Sequence, residues 1–396
     1  MLPLVYTRPV CDLLLGQESL RARVQRVMRG EATLALHTRK EIAHAAALHT
    51  GLMVNESIPV KSLFINGRAL CREMPVSGEE DSSWVGLCKG QIACIQAEAS
   101  LAGQLTSDDF LDEEKLNAAV AGLPTREIGD CLQLLDYPWD FVLSNEDALM
   151  EDWKRTSPGN QGQVDGGCHL LNESSIHIGL GARIMPQSVI DAEAGPVVIS
   201  AGVTVMPQSY IQGPCFVGEK TLIQPGAVIG GGTSIGPVCK VGGEIEGTIL
   251  QGYSNKQHHG TLGHCYIGEW VNIGAGCSNS DLKNTYGNVR SPINGKEVDT
   301  GQTFVGAVIG DHSKVGVNCA IPTGAVIGFC SNVVGPQSPK FVPSFTWHTP
   351  DNAVPYEAEK ALAVAEKVMA RRDRSMKKAD KSLFMEVPRM AGELEG

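Results

Sequence analysis

Aliphatic side chains recur at strict spacings of six through the second half of this chain. Ile199, Val205, Ile211, Val217, Ile223, Ile229, Ile235 and Val241 keep one phase, and most are followed by glycine or another small residue. The beat sounds earlier at Ile178 and Ile184. It returns at Ile267 and Ile273, then runs through Ile309, Val315, Ile321, Ile327 and Val333. A period of six fits neither an α-helix nor a hairpin, whose side chains repeat at 3.6 and 2. It fits a hexapeptide β-helix, in which each coil stacks on the one before and every sixth side chain points down the axis. Burial drives the stacking, at roughly 1.5–3 kcal/mol for each aliphatic side chain taken out of water. Small residues after it allow the tight bend between short flat strands. A sandwich rich in valine and glycine is the competing reading, and a run of eight in-phase aliphatics speaks against it.

The remaining sequence sets the organisation. At 396 residues the chain exceeds what one hydrophobic core comfortably serves. Residues 1–155 lack the beat and mix patterns: Leu20–Arg29, Arg39–His49 and Asp112–Val120 read as helices, Ser62–Ile65 and Ile92–Ala97 as strands. This is an α/β unit. Ser157-Pro158-Gly159-Asn160-Gln161-Gly162 reads as a linker. The β-helix domain then spans 156–345, and 346–396 forms a helical tail, with a helix over Tyr356–Arg372. The beat fails at 250–264 and at about 278–303, which read as loops thrown off one face beside the coil Ile267–Gly276. Loops so placed are where chemistry is expected.

Composition excludes several function classes. A net charge of −11 gives nucleic acid no general footing. The basic cluster from Lys367 to Lys381 reads as a solvated helix end. Twelve scattered cysteines without a Cys-x-x-Cys pair read as reduced thiols. No apolar run of membrane-spanning length and no signal pattern occurs. The expectation is a cytoplasmic protein with no membrane insertion.

The stretch Lys256-x-His258-x-x-x-Leu262-Gly263 followed by Ile267-Gly268-Glu269-x-Val271-Asn272-Ile273-Gly274-Ala275-Gly276 resembles the acetyltransferase half of the GlmU family. Members of that family are bifunctional glucosamine-1-phosphate N-acetyltransferases and N-acetylglucosamine-1-phosphate uridylyltransferases. The likeness is nearer to divergent bacterial relatives that share Gly252–Lys256, Leu282–Tyr286, Gly310–Lys314, Phe341–Phe345 and an N-terminal element matching Tyr6–Leu13. The resemblance implies a left-handed β-helix behind a divergent nucleotidyltransferase-like domain, assembled as a homotrimer with sites between subunits. It implies acetyl-CoA as cosubstrate and an amino-sugar phosphate as acceptor. It places the general base at His258 and substrate contacts at Asn272, Asn284 and Tyr286, with acetyl-CoA at the Ala275 amide. Lys256 is a candidate phosphate contact by its charge and position. The base is chemically coherent, since a sugar ammonium must lose a proton before it can attack a thioester, and imidazole titrates in the range to take it. Thr261 stands where the family has a tyrosine, and 241–246 lacks the lysine expected one coil upstream.

In the N-terminal half the resemblance points to Thr7, Arg8 and Asn66 as the nucleotide-binding positions, for UTP with Mg²⁺ if that unit is active. Only Thr7-Arg8-Pro9 of the family's glycine-rich phosphate loop is present, and Asn66 stands near the usual metal-binding aspartate. Asn145 and Asp152 are further polar candidates. The chain starts almost on the motif, which implies a truncated or misassigned start. Three functions remain distinct: an N-acetyltransferase, a sugar-1-phosphate nucleotidylyltransferase (uridylyl or thymidylyl) whose solenoid trimerises or regulates, and a non-catalytic sugar-nucleotide binder. His259 and His264 also raise a zinc hydratase, for which the β-helix lacks a third histidine; no metal is expected there.

Overall fold

The computed structural model describes residues 1–28, 32–75 and 82–395; Arg29, at the end of the first expected helix, lies outside them. From residue 159 onward, strands of two to four residues stack in parallel into three faces. Among the described residues, the first face runs from Gly159–Asn160 to Phe341–Val342 and the second from Gln163–Val164 to Thr346–Thr349. The third runs from His169–Leu171 to Thr261–Gly263 and is carried on by Ser278–Asn279 and Ala320–Ile321. Val197–Ile199, Cys215–Val217 and Thr233–Ile235 pair in register, so Ile199, Val217 and Ile235 sit directly above one another. Three hexads therefore make one coil, consistent with the left-handed solenoid that the beat implies. Ile199, Ile211, Ile223, Ile229 and Val241 are fully buried in the axial core. Cys215, Cys239 and Cys265 fill the same axis, where burial pushes their thiols up to about 12. They act as small apolar side chains, not nucleophiles.

Three sequence expectations need correction. The Ser157–Gly162 stretch is not a free linker, because Gly159–Asn160 already pairs with Ile176–Ile178 as the first rung. Nor is 250–264 a loop: Ile249–Gly252, Asn255–Lys256 and Thr261–Gly263 form a complete coil on all three faces. Shortened corners hid it, with Lys256 falling fifteen residues after Val241, its partner below, and a lysine taking an aliphatic's place. Only the second interruption leaves the solenoid, as a hairpin of Arg290–Ile293 and Lys296–Asp299 closed by a Leu282–Phe304 bridge. The C-terminal tail holds two helices, Ala358–Ala370 and Lys378–Leu394. The second escaped notice because Pro388 interrupts its pattern.

The N-terminal part is a mixed α/β arrangement. Its four-stranded sheet has the order Ser62–Ile65, Gln91–Ala97, Trp84–Cys88, Thr125–Glu127, antiparallel except for the last pair. Helices Leu20–Val27, Lys40–Thr50 and Glu113–Ala119 lie where expected. This part shares a core with the solenoid: Leu4, Leu13, Leu15 and Phe141 pack with Ile249, Tyr266 and Val308. The two C-terminal helices pack with the Lys40–Thr50 helix and with Phe329 and Phe345 from the solenoid corners. Among the described residues no helix is long and apolar enough to cross a membrane.

Candidate functional site

The corner between the second and third faces is built around a buried cation. Lys256 lies in the inward row between Val241 and Ile273, with no exposed surface. Its Nζ donates to the carbonyl oxygens of His258 at 2.6 Å, Gly260 at 3.1 Å, His259 at 3.2 Å and Gly242 at 3.4 Å. Burial pulls its pKa down to about 8, which still leaves the ammonium charged at neutral pH. Carbonyl groups at a solenoid corner cannot all join the ladders, and a buried unpaired one costs about 1–3 kcal/mol. Lys256 therefore cannot be the phosphate contact that its charge suggested. It holds the backbone that presents His258.

His258 itself is exposed on that corner, and Gln257 Nε2 lies 3.2 Å from its Nε2. Ala275 and Gly276 form the same corner one coil on, where Gly276 N–H donates to His259 O at 3.0 Å. Asn272 points outward on the second face, exposed, and accepts from Asn255 Nδ2 at 3.4 Å. Asn255 in turn accepts from Arg372 Nη2 at 3.0 Å, so these asparagines form a two-rung ladder. His258, Asn272 and Ala275 thus share one side of successive coils. Asn284 and Tyr286 do not join them within one chain. Both are exposed on the turn that leaves the third face, where Tyr286 N–H donates to Lys283 O.

A second imidazole lies at the next corner and was not singled out as a base. His264 Nδ1 is 2.7 Å from Asp281 Oδ2, and its ring packs on Phe304. The hydrogen bond from His264 holds the Asp281 carboxyl below its ordinary range. The two residues are seventeen apart, about one coil, which is the spacing that would have found them. His259 and His264 flank opposite ends of the Thr261–Gly263 strand, and among the described residues no three metal-ligating side chains cluster.

The N-terminal candidates turn out to be engaged. Arg8 Nη2 pairs with Asp311 Oδ2 at 2.6 Å and Glu269 Oε2 at 3.2 Å, and Thr7 Oγ1 donates to Asp311 at 2.9 Å. Asn66 closes a turn, donating to Ile92 O and accepting from Arg68 N–H. Arg68, a cation, stands beside it paired with Asp136. These residues do not fit a magnesium site. Asn145 and Asp152 are also structural. Asn145 accepts from Gly16 N–H and Ser234 Oγ and donates to Gly232 O, while Asp152 grips Arg23.

Removing the buried ammonium tests the corner. Lys256→Met is expected to fold, because methionine suits the apolar row, with a stability loss of about 1–3 kcal/mol for a carbonyl left unpaired. If His258 is the reacting base, its displacement is expected to lower turnover about 10- to 100-fold, as small misplacements of a reacting group do. Steady-state kinetics beside a melting curve would show it, and unchanged turnover would show that the corner holds itself.

Residues 1–161 match the family model described as sugar nucleotidyl transferase. The chain is 30% identical to a bifunctional protein GlmU of Synechococcus over 171 residues, covering 41% of this chain and 32% of that protein. It is 31% identical over 137 residues to a bifunctional sugar-1-phosphate nucleotidylyltransferase/acetyltransferase of Sulfurisphaera tokodaii, 34% of each chain. The chain spans about a third of the length of these curated relatives. Among solved structures, a UDP-N-acetylglucosamine acyltransferase of Francisella novicida matches over 59% of this chain and 86% of its own. That match has 13% identity and a TM-score of 0.28.

Proposed function

We propose that this chain, similar to the bifunctional GlmU proteins, is an acetyl-CoA-dependent N-acetyltransferase acting on an amino-sugar phosphate, glucosamine-1-phosphate in the first instance. The observation that carries this reading is the exposed His258 on a corner whose carbonyls are gathered by a buried lysine. A rigid backbone with a solvent-exposed imidazole is what a general base needs. His258 takes a proton from the sugar ammonium, and the freed amine attacks the thioester carbonyl. The tetrahedral oxyanion needs donors such as the backbone amide at Ala275. The adduct nitrogen gives up its second proton to solvent, and the intermediate expels CoA, whose sulfur recovers the first proton from the imidazolium. Asn272 orients the acceptor from the same side. Asn284 and Tyr286, remote from His258 in one chain, reach such a site from a neighbouring subunit of a homotrimer. The reading keeps three units, 1–155, 156–345 and 346–396, and a cytoplasmic enzyme serving UDP-N-acetylglucosamine synthesis.

A second reading, uridylyl or thymidylyl transfer from a nucleoside triphosphate, is favoured by the family model over residues 1–161. The engagement of Thr7, Arg8 and Asn66 weighs against it. Both are tested together by following CoA release from acetyl-CoA with glucosamine-1-phosphate and pyrophosphate release from UTP with Mg²⁺. Thiol release is expected. Its absence with pyrophosphate release would overturn the first reading for the second, and silence in both would leave a sugar-nucleotide binder.

A further inference from the structure

The second face carries a column of side chains in register on successive coils: Lys240, Asn255, Asn272 and Lys314. The turn between the two C-terminal helices reaches this column through one residue. Arg372 Nη2 donates to Asn255 Oδ1 at 3.0 Å, and Asn255 Nδ2 donates to Asn272 Oδ1 at 3.4 Å.

The polarity of this chain of bonds has a single source. An asparagine can turn either its oxygen or its amino group toward a neighbour, so a ladder of two has two senses. Arginine has donors and no acceptor. The oxygen of Asn255 must therefore face Arg372, and its amino group must face Asn272. Turning Asn272 over would set one amino group against another, so its oxygen stays on the ladder and its amino group is left outside.

Nothing within the chain takes up that amino group. Lys314, on the far side of Asn272, is also a donor without lone pairs, and its Nζ bonds His312 O at 2.8 Å. Among the described residues no carboxylate or carbonyl oxygen accepts from Asn272 Nδ2, and the side chain is exposed. Two N–H bonds of fixed direction thus face a ligand from the side of the solenoid that carries His258.

We propose that Arg372 is a positioning residue for the acceptor sugar: through Asn255 it fixes Asn272 as a hydrogen-bond donor, so that Asn272 selects an oxygen of the sugar and turns away its ammonium. The ammonium is itself a donor and finds no acceptor there, which leaves it for His258. This inference rests on the acetyl-transfer reading, and its test separates the two.

The test is kcat/KM for glucosamine-1-phosphate, read by thiol release beside a melting curve. Arg372→Leu is expected to lower it about three- to tenfold, the scale of one hydrogen bond, with KM for acetyl-CoA unchanged. Arg372→Lys keeps a donor and is expected to restore the wild-type value. Asn255→Leu is expected to match the loss, and the double variant to be no worse than either single one, because both act through one ladder. A cation touching the sugar directly would give additive losses instead. Arg374→Leu is the control, since Arg374 ties the same turn to the Tyr253 hydroxyl at 3.0 Å without entering the ladder. Should Asn255→Leu not fold, the Arg372→Leu and Arg372→Lys pair decides. No loss in Arg372→Leu, no rescue by lysine, additive losses, or an equal loss in Arg374→Leu would each overturn the role of Arg372. A wild-type chain without thiol release would instead remove the acetyl-transfer reading. Calorimetry with glucosamine-1-phosphate then decides the ladder: the same order of affinities among the variants supports it, and no binding by the wild type overturns it.

Discussion

His258→Ala is expected to lower acetyl transfer at least ~100-fold, the lower range for loss of a general base. The side chain is exposed and its corner is held through backbone carbonyls, so folding should be untouched. The loss should fall on kcat, with KM for acetyl-CoA nearly unchanged, because the imidazole is asked to move a proton and not to hold the cosubstrate. His259→Ala is the control: it changes the adjacent imidazole and leaves the carbonyl that Lys256 grips. If His258→Ala retains turnover while His264→Ala loses it, the base is the histidine already oriented by Asp281 at 2.7 Å. Stopped thiol-release assays on the three variants separate these outcomes.

The largest stability effect is expected from Asp152→Ala. Asp152 is 5% exposed and receives Arg23 through two hydrogen bonds of 2.7 Å, with Gln17 N–H at 3.0 Å. Arg23 has no exposed surface and, among the described residues, reaches one further acceptor, Leu15 O. Deleting the carboxylate strands a guanidinium in the interior, which costs about 3–5 kcal/mol. Replacing both members by apolar residues should cost much less, since the cations then left behind, Arg26 and Arg155, reach solvent. Denaturant unfolding of Asp152→Ala and of the double variant Arg23→Met with Asp152→Leu measures both. A single-variant loss below about 1 kcal/mol would put the pair in the class of ion pairs that contribute little.

The solenoid was legible because its physics repeats: one aliphatic per hexad is a signal that each coil reinforces. It faded where chemistry or geometry intervened. Lys256 and Asn279 take inward places, one capping carbonyls and the other bonding both backbone groups of Gly263, so a search for aliphatics reads a coil as a loop. Arg8 was legible as part of a motif but not as a partner of Glu269 and Asp311, since nothing local encodes a contact across 303 residues. The same holds for Arg372, whose bond to Asn255 spans 117 residues. Motifs matched by resemblance, Gly310–Lys314 and Tyr6–Leu13 among them, prove to meet in space. A list of motifs marks which positions matter without saying that they touch.

The tie between Arg8 and Asp311 also sets an order of events during synthesis. At about 5–20 residues per second, the arginine leaves the ribosome some fifteen seconds to a minute before its carboxylate exists. The first segment must wait, half-finished, while coil after coil is laid down, and can close only against a solenoid that is nearly complete. Leu4, Leu13 and Leu15 stay without their partners from the later coils for that interval. A nascent chain stalled before residue 311 should therefore be sensitive to proteases at its front end and resistant along the coils already wound.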